Sequence, residues 1–132
     1  MIPAEEKPAL TLPSILIVED EQLIRWSLKQ RLEQAGYTVI VAENGSQAVD
    51  LFHDGCELVL LDLKLPDADG LELLRHFKEE RPGCKVILMT AYGSPEVETE
   101  AERQGVFEVI DKPFNLEDLT HLVQQALATG HA

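Results

Sequence analysis

The chain has 132 residues, 45% of them hydrophobic and 27% charged, which fits one soluble globular domain with room for a real core. Its 24 acids against 11 bases leave a net charge of −13, a surface that repels nucleic acid phosphates and argues against direct DNA or RNA binding. No apolar run approaches the roughly 20 residues that cross a membrane, and Met1 to Ser14 carries Glu5, Glu6 and three prolines where a signal peptide needs an apolar stretch.

Residues 1–13 therefore read as a flexible leader, 14–128 as the folded domain and 129–132 as a tail. Ile15-Leu16-Ile17-Val18 is a first buried strand that ends on Glu19-Asp20. Glu21 to Ala35 follows as a helix with Ile24, Leu28, Leu32 and Ala35 at helical spacing, stopped by Gly36. Tyr37 to Val41 is the second strand, and Asn44 caps a short helix reaching about His53. Leu58 to Asp62 is the third strand. The loop Leu65-Pro66-Asp67-Ala68-Asp69-Gly70 is rich in turn residues. It leads into a helix from Leu71 to Glu80 with Leu71, Leu74 and Phe77 on one face, ended by Arg81-Pro82-Gly83. Lys85 to Thr90 is the fourth strand. Ser94 caps the next helix, with Pro95 at its first position. That helix runs to about Gln104 with four glutamates and only Val97 and Ala101 as apolar anchors, so it should be the least firmly held. Phe107 to Asp111 is the fifth strand, and Leu116 to Ala128 the last helix, with Leu116, Leu119, Leu122, Val123 and Leu127 facing inward. Strands alternating with helices of this length predict a three-layer α/β sandwich around a parallel sheet.

Two cysteines, Cys56 and Cys84, make neither a disulfide framework nor zinc spacing, and a reducing cytoplasm fits them as buried, inert thiols. His53, His76, His121 and His131 show no metal-ligand spacing and read as surface or packing residues. The chemistry lies instead at the strand ends. Ligands of open α/β sheets bind at the carboxyl ends of the strands, and here those ends gather Glu19, Asp20, Asp62, Thr90 and Lys112. Carboxylates held together need a cation or a proton. Magnesium takes one or two carboxylates together with phosphate oxygens, and a carboxylate can itself become an aspartyl-phosphate. Asp62, the lone acid at the end of the most continuously apolar strand, is the nucleophile candidate. Lys112 offers a point charge and Thr90 a hydroxyl to phosphoryl oxygens. Pro113 fixes the backbone after the lysine and is compatible with a cis bond.

The motifs Val18-Glu19-Asp20-Glu21, Leu61-Asp62-Leu63-Lys64-Leu65-Pro66 with Gly70, Met89-Thr90-Ala91 and Lys112-Pro113-Phe114 together resemble the receiver domain of bacterial two-component response regulators, over roughly Ser14 to Ala128. Ile24-Arg25-Trp26, Thr90-Ala91-Tyr92-Gly93-Ser94 and Lys112-Pro113-Phe114-Asn115 are most similar to CheY-like receivers of the NtrC type, which serve sigma-54 activators and usually precede an ATPase and a DNA-binding domain. The chain has neither of those, and reads as an excised or a stand-alone receiver.

The resemblance implies a flavodoxin-like (βα)5 fold with sheet order 2-1-3-4-5, and it implies roles. Asp62 would accept a phosphoryl group from the phosphohistidine of a sensor histidine kinase, or from a small acyl phosphate. Asp20, Asp62 and the Lys64 carbonyl would ligate Mg²⁺, with Glu19 acting through water and Mn²⁺ able to substitute. Lys112 would pair with the phosphoryl group, Thr90 would move to bond it, and Ala91 would leave room. Lys64 and Tyr92 would tune the lifetime of the aspartyl-phosphate. The fourth helix, fifth strand and last helix would respond, controlling an output domain or a homodimer partner in transcription regulation. Such a domain is a cytoplasmic signalling module that catalyses only its own phosphorylation and dephosphorylation. One departure matters: Val109 stands where the family usually places the Tyr or Phe of the switch. Phe107 lies two residues earlier, and strand alternation puts it on the same face, in the core.

Two other classes compete. A phosphorylation-independent, receiver-like binding module is motivated by Val109 but leaves the intact acidic set unexplained. An enzyme on a related fold fits less well. A haloacid-dehalogenase-type phosphatase wants Asp-x-Asp where Lys64 stands, and a flavodoxin's FMN phosphate would be repelled by Glu19-Asp20-Glu21.

Overall fold

The computed structural model describes residues 14–91 and 93–128; the leader, the tail with His131, and Tyr92 lie outside the described residues. Ten elements alternate along the chain: β1 (Ser14–Val18), α1 (Gln22–Gln34), β2 (Thr38–Ala42), α2 (Gly45–Asp54), β3 (Leu58–Asp62), α3 (Gly70–Glu80), β4 (Lys85–Thr90), α4 (Pro95–Arg103), β5 (Glu108–Asp111) and α5 (Leu116–Ala128). All strand pairs are parallel, in the order β2-β1-β3-β4-β5, the order that the resemblance implied.

Strand alternation divides the core in two. Leu16, Val18, Val59, Leu61, Val86 and Leu88 face one way and pack with Ala48, Phe52, Leu74, Phe77 and Ala101 of α2, α3 and α4. Ile15, Ile17, Leu58, Leu60, Ile87 and Met89 face the other way and pack with Leu28 and Leu32 of α1 and with Leu119, Val123 and Ala126 of α5. β3 is buried along its whole length, as a central strand covered on both faces must be. Each fully buried Leu or Ile contributes roughly 1.5–3 kcal/mol through the area removed from water. Phe52 stacks on Phe77 with ring centroids 4.3 Å apart, and the Arg81 guanidinium lies 4.0 Å over the Phe52 ring.

β3, β4 and α5 have the expected bounds; other boundaries shift for local reasons. Ala35 is exposed rather than inward, because α1 ends at Gln34 and the Ala35 amide turns back to the Arg31 and Leu32 carbonyls. Gly36 follows at φ 103°, the left-handed conformation that favours glycine. The Tyr37 amide still bonds the Leu32 carbonyl at 3.1 Å, so β2 begins only at Thr38. In α3 the Asp69 carboxylate caps the Leu71 amide at 2.7 Å. The helix then starts at Gly70, and its inward face is Gly70, Leu73, Leu74 and Phe77, with Leu71 at the half-buried margin. α5 buries Ala126 as well as Leu119, Val123 and Leu127, and leaves Leu116 and Leu122 half-buried. α4 buries only Ala101, so its slight anchoring is as expected. Phe107 and Val109 do not share a face. Phe107 precedes β5 in a bend and packs with the α1 and α5 side of the core, whereas Val109 packs with the α2 to α4 side. The two-residue alternation holds only from Glu108 onward.

Two contacts fix the loop after β3. The Gly70 amide donates to the Leu63 carbonyl at 2.7 Å, and a Cβ on Gly70 would lie 2.7 Å from both the Asp62 carbonyl oxygen and Leu63 Cα. Asp67 accepts from the Gly45 and Ser46 amides at 2.7 and 3.1 Å, tying the same loop to the N-terminus of α2. Because backbone blocks the space at residue 70, Gly70→Ala should destabilise by about 1–3 kcal/mol. Urea unfolding checks this, and an unchanged midpoint would contradict it.

Candidate functional site

The sheet register brings the candidate residues together. Val18 pairs with Leu61, so Glu19 follows beside Asp62. Asp62 pairs with Met89, and Thr90 comes one residue later. Thr90 pairs with Asp111, which places Lys112 next. Backbone bonds past the paired residues hold these ends: Leu63 amide to Met89 carbonyl at 2.8 Å, Lys112 amide to Thr90 carbonyl at 2.8 Å, and Glu19 amide to Ala42 carbonyl at 3.1 Å. The Lys112–Pro113 peptide is cis.

The Lys112 ammonium donates to Glu19 Oε1 at 2.9 Å and to Asp62 Oδ2 at 3.2 Å. The second Glu19 oxygen accepts from the Glu21 amide at 3.1 Å, and Asp62 Oδ1 accepts from the Lys64 amide at 3.4 Å. Glu19 is fully buried, Asp62 is 6% exposed and Thr90 is 1% exposed, while Asp20 stands at the surface. One ligand oxygen from each of Glu19, Asp20 and Asp62 lies within 4.8 Å of the others. Above them opens a cavity of about 220 Å³ lined by Asp20, Glu21, Asp62, Leu63, Lys64, Thr90, Ala91 and Lys112. It has a carboxylate floor, a hydroxyl on one side and an ammonium on another. A larger depression of about 540 Å³ over Leu23 and Trp26 has no carboxylate or hydroxyl in its lining and offers no comparable chemistry.

Burial pushes the Glu19 carboxyl up to about 7; the Lys112 and Glu21 hydrogen bonds oppose the rise and the charge of Asp62 adds to it. Burial by itself disfavours the Lys112 ammonium, but the Glu19 hydrogen bond and the charges of Asp62 and Glu19 outweigh it and raise its pKa. Lys112 thus stays charged as counter-ion to two acids. The donor set is oxygen-only and anionic, with one exposed carboxylate facing the cleft. That suits a hard divalent cation that keeps several waters.

Glu19, Asp20, Asp62, Lys64, Thr90 and Lys112 therefore meet as expected; Tyr92 lies outside the described residues. Val109 is half-buried and packs against the α2 to α4 side of the core. The sequence reading missed Asp67 as a tie between loop and helix, although an acid able to cap a neighbouring helix is a known signal. It also missed Arg25, which donates to the Glu19 and Asp20 carbonyls at 2.8 and 3.2 Å. Away from the site, His53 and His76 each contact Glu80, at 3.0 and 3.5 Å. Cys56 and Cys84 are free thiols, and burial pushes both up, Cys56 to about 11, which leaves them poor nucleophiles. Among the described residues no helix is long and apolar enough to cross a membrane.

Residues 15–124 match the family described as Response regulator receiver domain. The chain is 40% identical over 114 residues to the Regulatory protein AtoC of Escherichia coli K12, and 35% identical over 115 residues to the DNA-binding transcriptional regulator NtrC of the same strain. Each match covers 86% of this chain but only 25% and 24% of those proteins, so the chain spans about a quarter of their length. It is 37% identical over 114 residues to Sporulation initiation phosphotransferase F of Bacillus subtilis, covering 86% of this chain and 92% of that one. A crystal structure of a CheY-like response regulator receiver domain protein from Methanospirillum hungatei superposes with a TM-score of 0.88 at 36% identity, covering 91% of this chain and 97% of that one.

A carboxyl that titrates near 7 when folded and near 4.5 otherwise binds its proton more tightly in the native state. Its contribution to stability is greatest at low pH and falls as pH rises from about 4.5 to about 7, by roughly 3 kcal/mol. Glu19→Gln should flatten this part of the stability profile, measured by urea unfolding in a metal chelator. An identical slope in wild type and variant would contradict the assignment.

Proposed function

The chain belongs to the response regulator receiver domain family, and from that premise we propose that it is a phospho-accepting signalling switch with Asp62 as acceptor. The observation that carries this reading is the Lys112 ammonium bridging Glu19 and Asp62 at the floor of an open, acid-lined cleft. An Asp62 carboxylate oxygen attacks the phosphorus of a phosphohistidine on a sensor histidine kinase, or of a small acyl phosphate. In the first case the P–N bond breaks, its electron pair returns to the imidazole nitrogen, and an acyl phosphate remains on Asp62.

The residues divide the work. Asp20, Asp62 and the Lys64 carbonyl are the groups to hold Mg²⁺ or Mn²⁺, with Glu19 acting through water; the bound ion would supply charge neutralisation for phosphoryl oxygens. Lys112 gives up its bond to Asp62 and pairs with a phosphoryl oxygen. Thr90 brings its hydroxyl to another, past the small side chain of Ala91. Lys64, exposed at the cleft mouth, tunes the lifetime of the product, and Tyr92, two residues beyond Thr90 in the sequence, is assigned the same role. The movement of Thr90 toward the phosphoryl group alters the packing of α4, which only Ala101 anchors deeply. The responding face is α4, β5 and α5, and it acts on an output domain or a second copy, in transcription regulation. The free thiols fit a reducing cytoplasm.

Val109 favours a second reading, a binding module that uses the fold without phosphorylation, because a half-buried aliphatic side chain at that position has no ring to swing. Intact mass after incubation with acetyl phosphate and Mg²⁺ separates the two. The switch predicts a single phosphoryl adduct on wild type and none on Asp62→Asn. An adduct that persists on the variant would overturn Asp62 as acceptor. A folded wild type left unmodified both by acetyl phosphate and by a panel of sensor kinases would favour the binding module.

A further inference from the structure

Arg25 sits in the first turn of α1, whose first turn has no acidic residue. A cation is poorly placed at the positive end of a helix, so its presence there calls for another partner. The structure supplies one. The guanidinium Nη1 donates to the Glu19 carbonyl at 2.8 Å and to the Asp20 carbonyl at 3.2 Å, and Nη2 lies 3.7 Å from the Glu43 carboxylate. The Arg25 side chain is only 15% exposed, so it is seated rather than solvated. The two carbonyls it grips belong to two of the three acids whose ligand oxygens cluster, the buried Glu19 and the cleft-lining Asp20. The rest of that loop is pinned by the Glu19 amide on the Ala42 carbonyl and by the Glu21 amide on Glu19 Oε2. Nη1 serves both carbonyls while Nη2 turns to Glu43, a spread over two nitrogens of a planar fork that a single ammonium does not offer.

We propose that Arg25 is a positioning residue for the cation-binding acids: it fixes the Glu19–Asp20 backbone and thereby aims the Asp20 carboxylate at Asp62. Glu43, reaching from just past the end of β2, steadies the guanidinium from its far side. The inference rests on the reading of this cleft as a divalent-cation site. Its sign separates it from a plain charge effect. If Arg25 acted only through its charge, removing it would relieve repulsion and tighten cation binding. If it acts by holding the loop, removing it must weaken binding, on the order of ten- to a hundred-fold, as partners of metal ligands typically do.

The experiment is Mn²⁺ binding to the full chain, followed by loss of the free-ion electron paramagnetic resonance signal, in wild type, Arg25→Ala, Arg25→Lys and Asp20→Asn. Amide hydrogen exchange at Glu21 and Gln22 without metal is a second readout. The proposal expects weaker binding and faster exchange in Arg25→Ala, with Arg25→Lys in between, since lysine keeps the charge but loses the fork. Equal or tighter binding in a folded Arg25→Ala would overturn it. If Arg25→Ala fails to fold, Arg25→Lys decides: wild-type affinity overturns the proposal and weakened affinity supports it. Failure of wild type to bind Mn²⁺, or an Asp20→Asn variant that binds unchanged, would overturn the cation-site reading and this inference with it.

Discussion

Three carboxylates cannot share a space of a few ångströms at the end of a sheet unless something neutralises them, and that constraint organises this molecule. Ligand oxygens of Glu19, Asp20 and Asp62 lie within 4.8 Å of one another. Two of the three acids are buried, and both are held by the Lys112 ammonium. Their separation is not free to grow, because parallel register sets Glu19 beside Asp62 and brings Lys112 in from β5. The fold therefore gathers acidic charge at one end of the sheet and, of these three acids, leaves only Asp20 exposed, beside the exposed Glu21 at the opening. Such an arrangement is sensitive to any change in local charge.

The two core halves are filled differently. The side with α1 and α5 is deeply filled: Leu28, Leu32, Leu119, Val123 and Ala126 are buried against the sheet. On the other side α2 and α3 are locked by Phe52 stacked on Phe77, whereas α4 rests on Ala101 and a half-buried Val97. Tight packing transmits a displacement as a discrete shift, and the element with fewest buried contacts is the one that moves. Val109, a neighbour of that layer, supplies bulk where an aromatic ring would supply a rotamer switch.

Much of this was legible in the sequence because burial on both faces leaves a plain signature. β3 and β4 read as unbroken apolar runs and end on the residues expected, Asp62 and Thr90. Segments governed by local hydrogen bonds were harder. Tyr37 looks like a strand residue but its amide is held by the end of α1. Phe107 looks two residues in phase with Val109 but lies in a bend, where alternation does not apply. Leu73 escaped the inward face of α3 because Leu71, Leu74 and Phe77 also fit a helical stripe, whereas the buried one is Gly70, Leu73, Leu74 and Phe77 at i, i+3, i+4 and i+7. In the site, residue types and order were readable, whereas burial was not. Nothing in Val18-Glu19-Asp20 tells which acid is fully enclosed and which is exposed. Arg25 could have been noticed as a cation misplaced at a helix start, and Asp67 as an acid close to another helix's N-terminus only once the fold had brought them together.

If Lys112 neutralises acids which the sheet forces together, a divalent cation can take over part of that task. The most direct measurement is the unfolding free energy of Lys112→Met with and without millimolar Mg²⁺, beside wild type. Breaking a buried pair from one side should cost about 3–5 kcal/mol without the cation, and Mg²⁺ should restore more stability to the variant than it adds to wild type. A variant as stable as wild type in the absence of Mg²⁺, or one indifferent to it, would contradict the account.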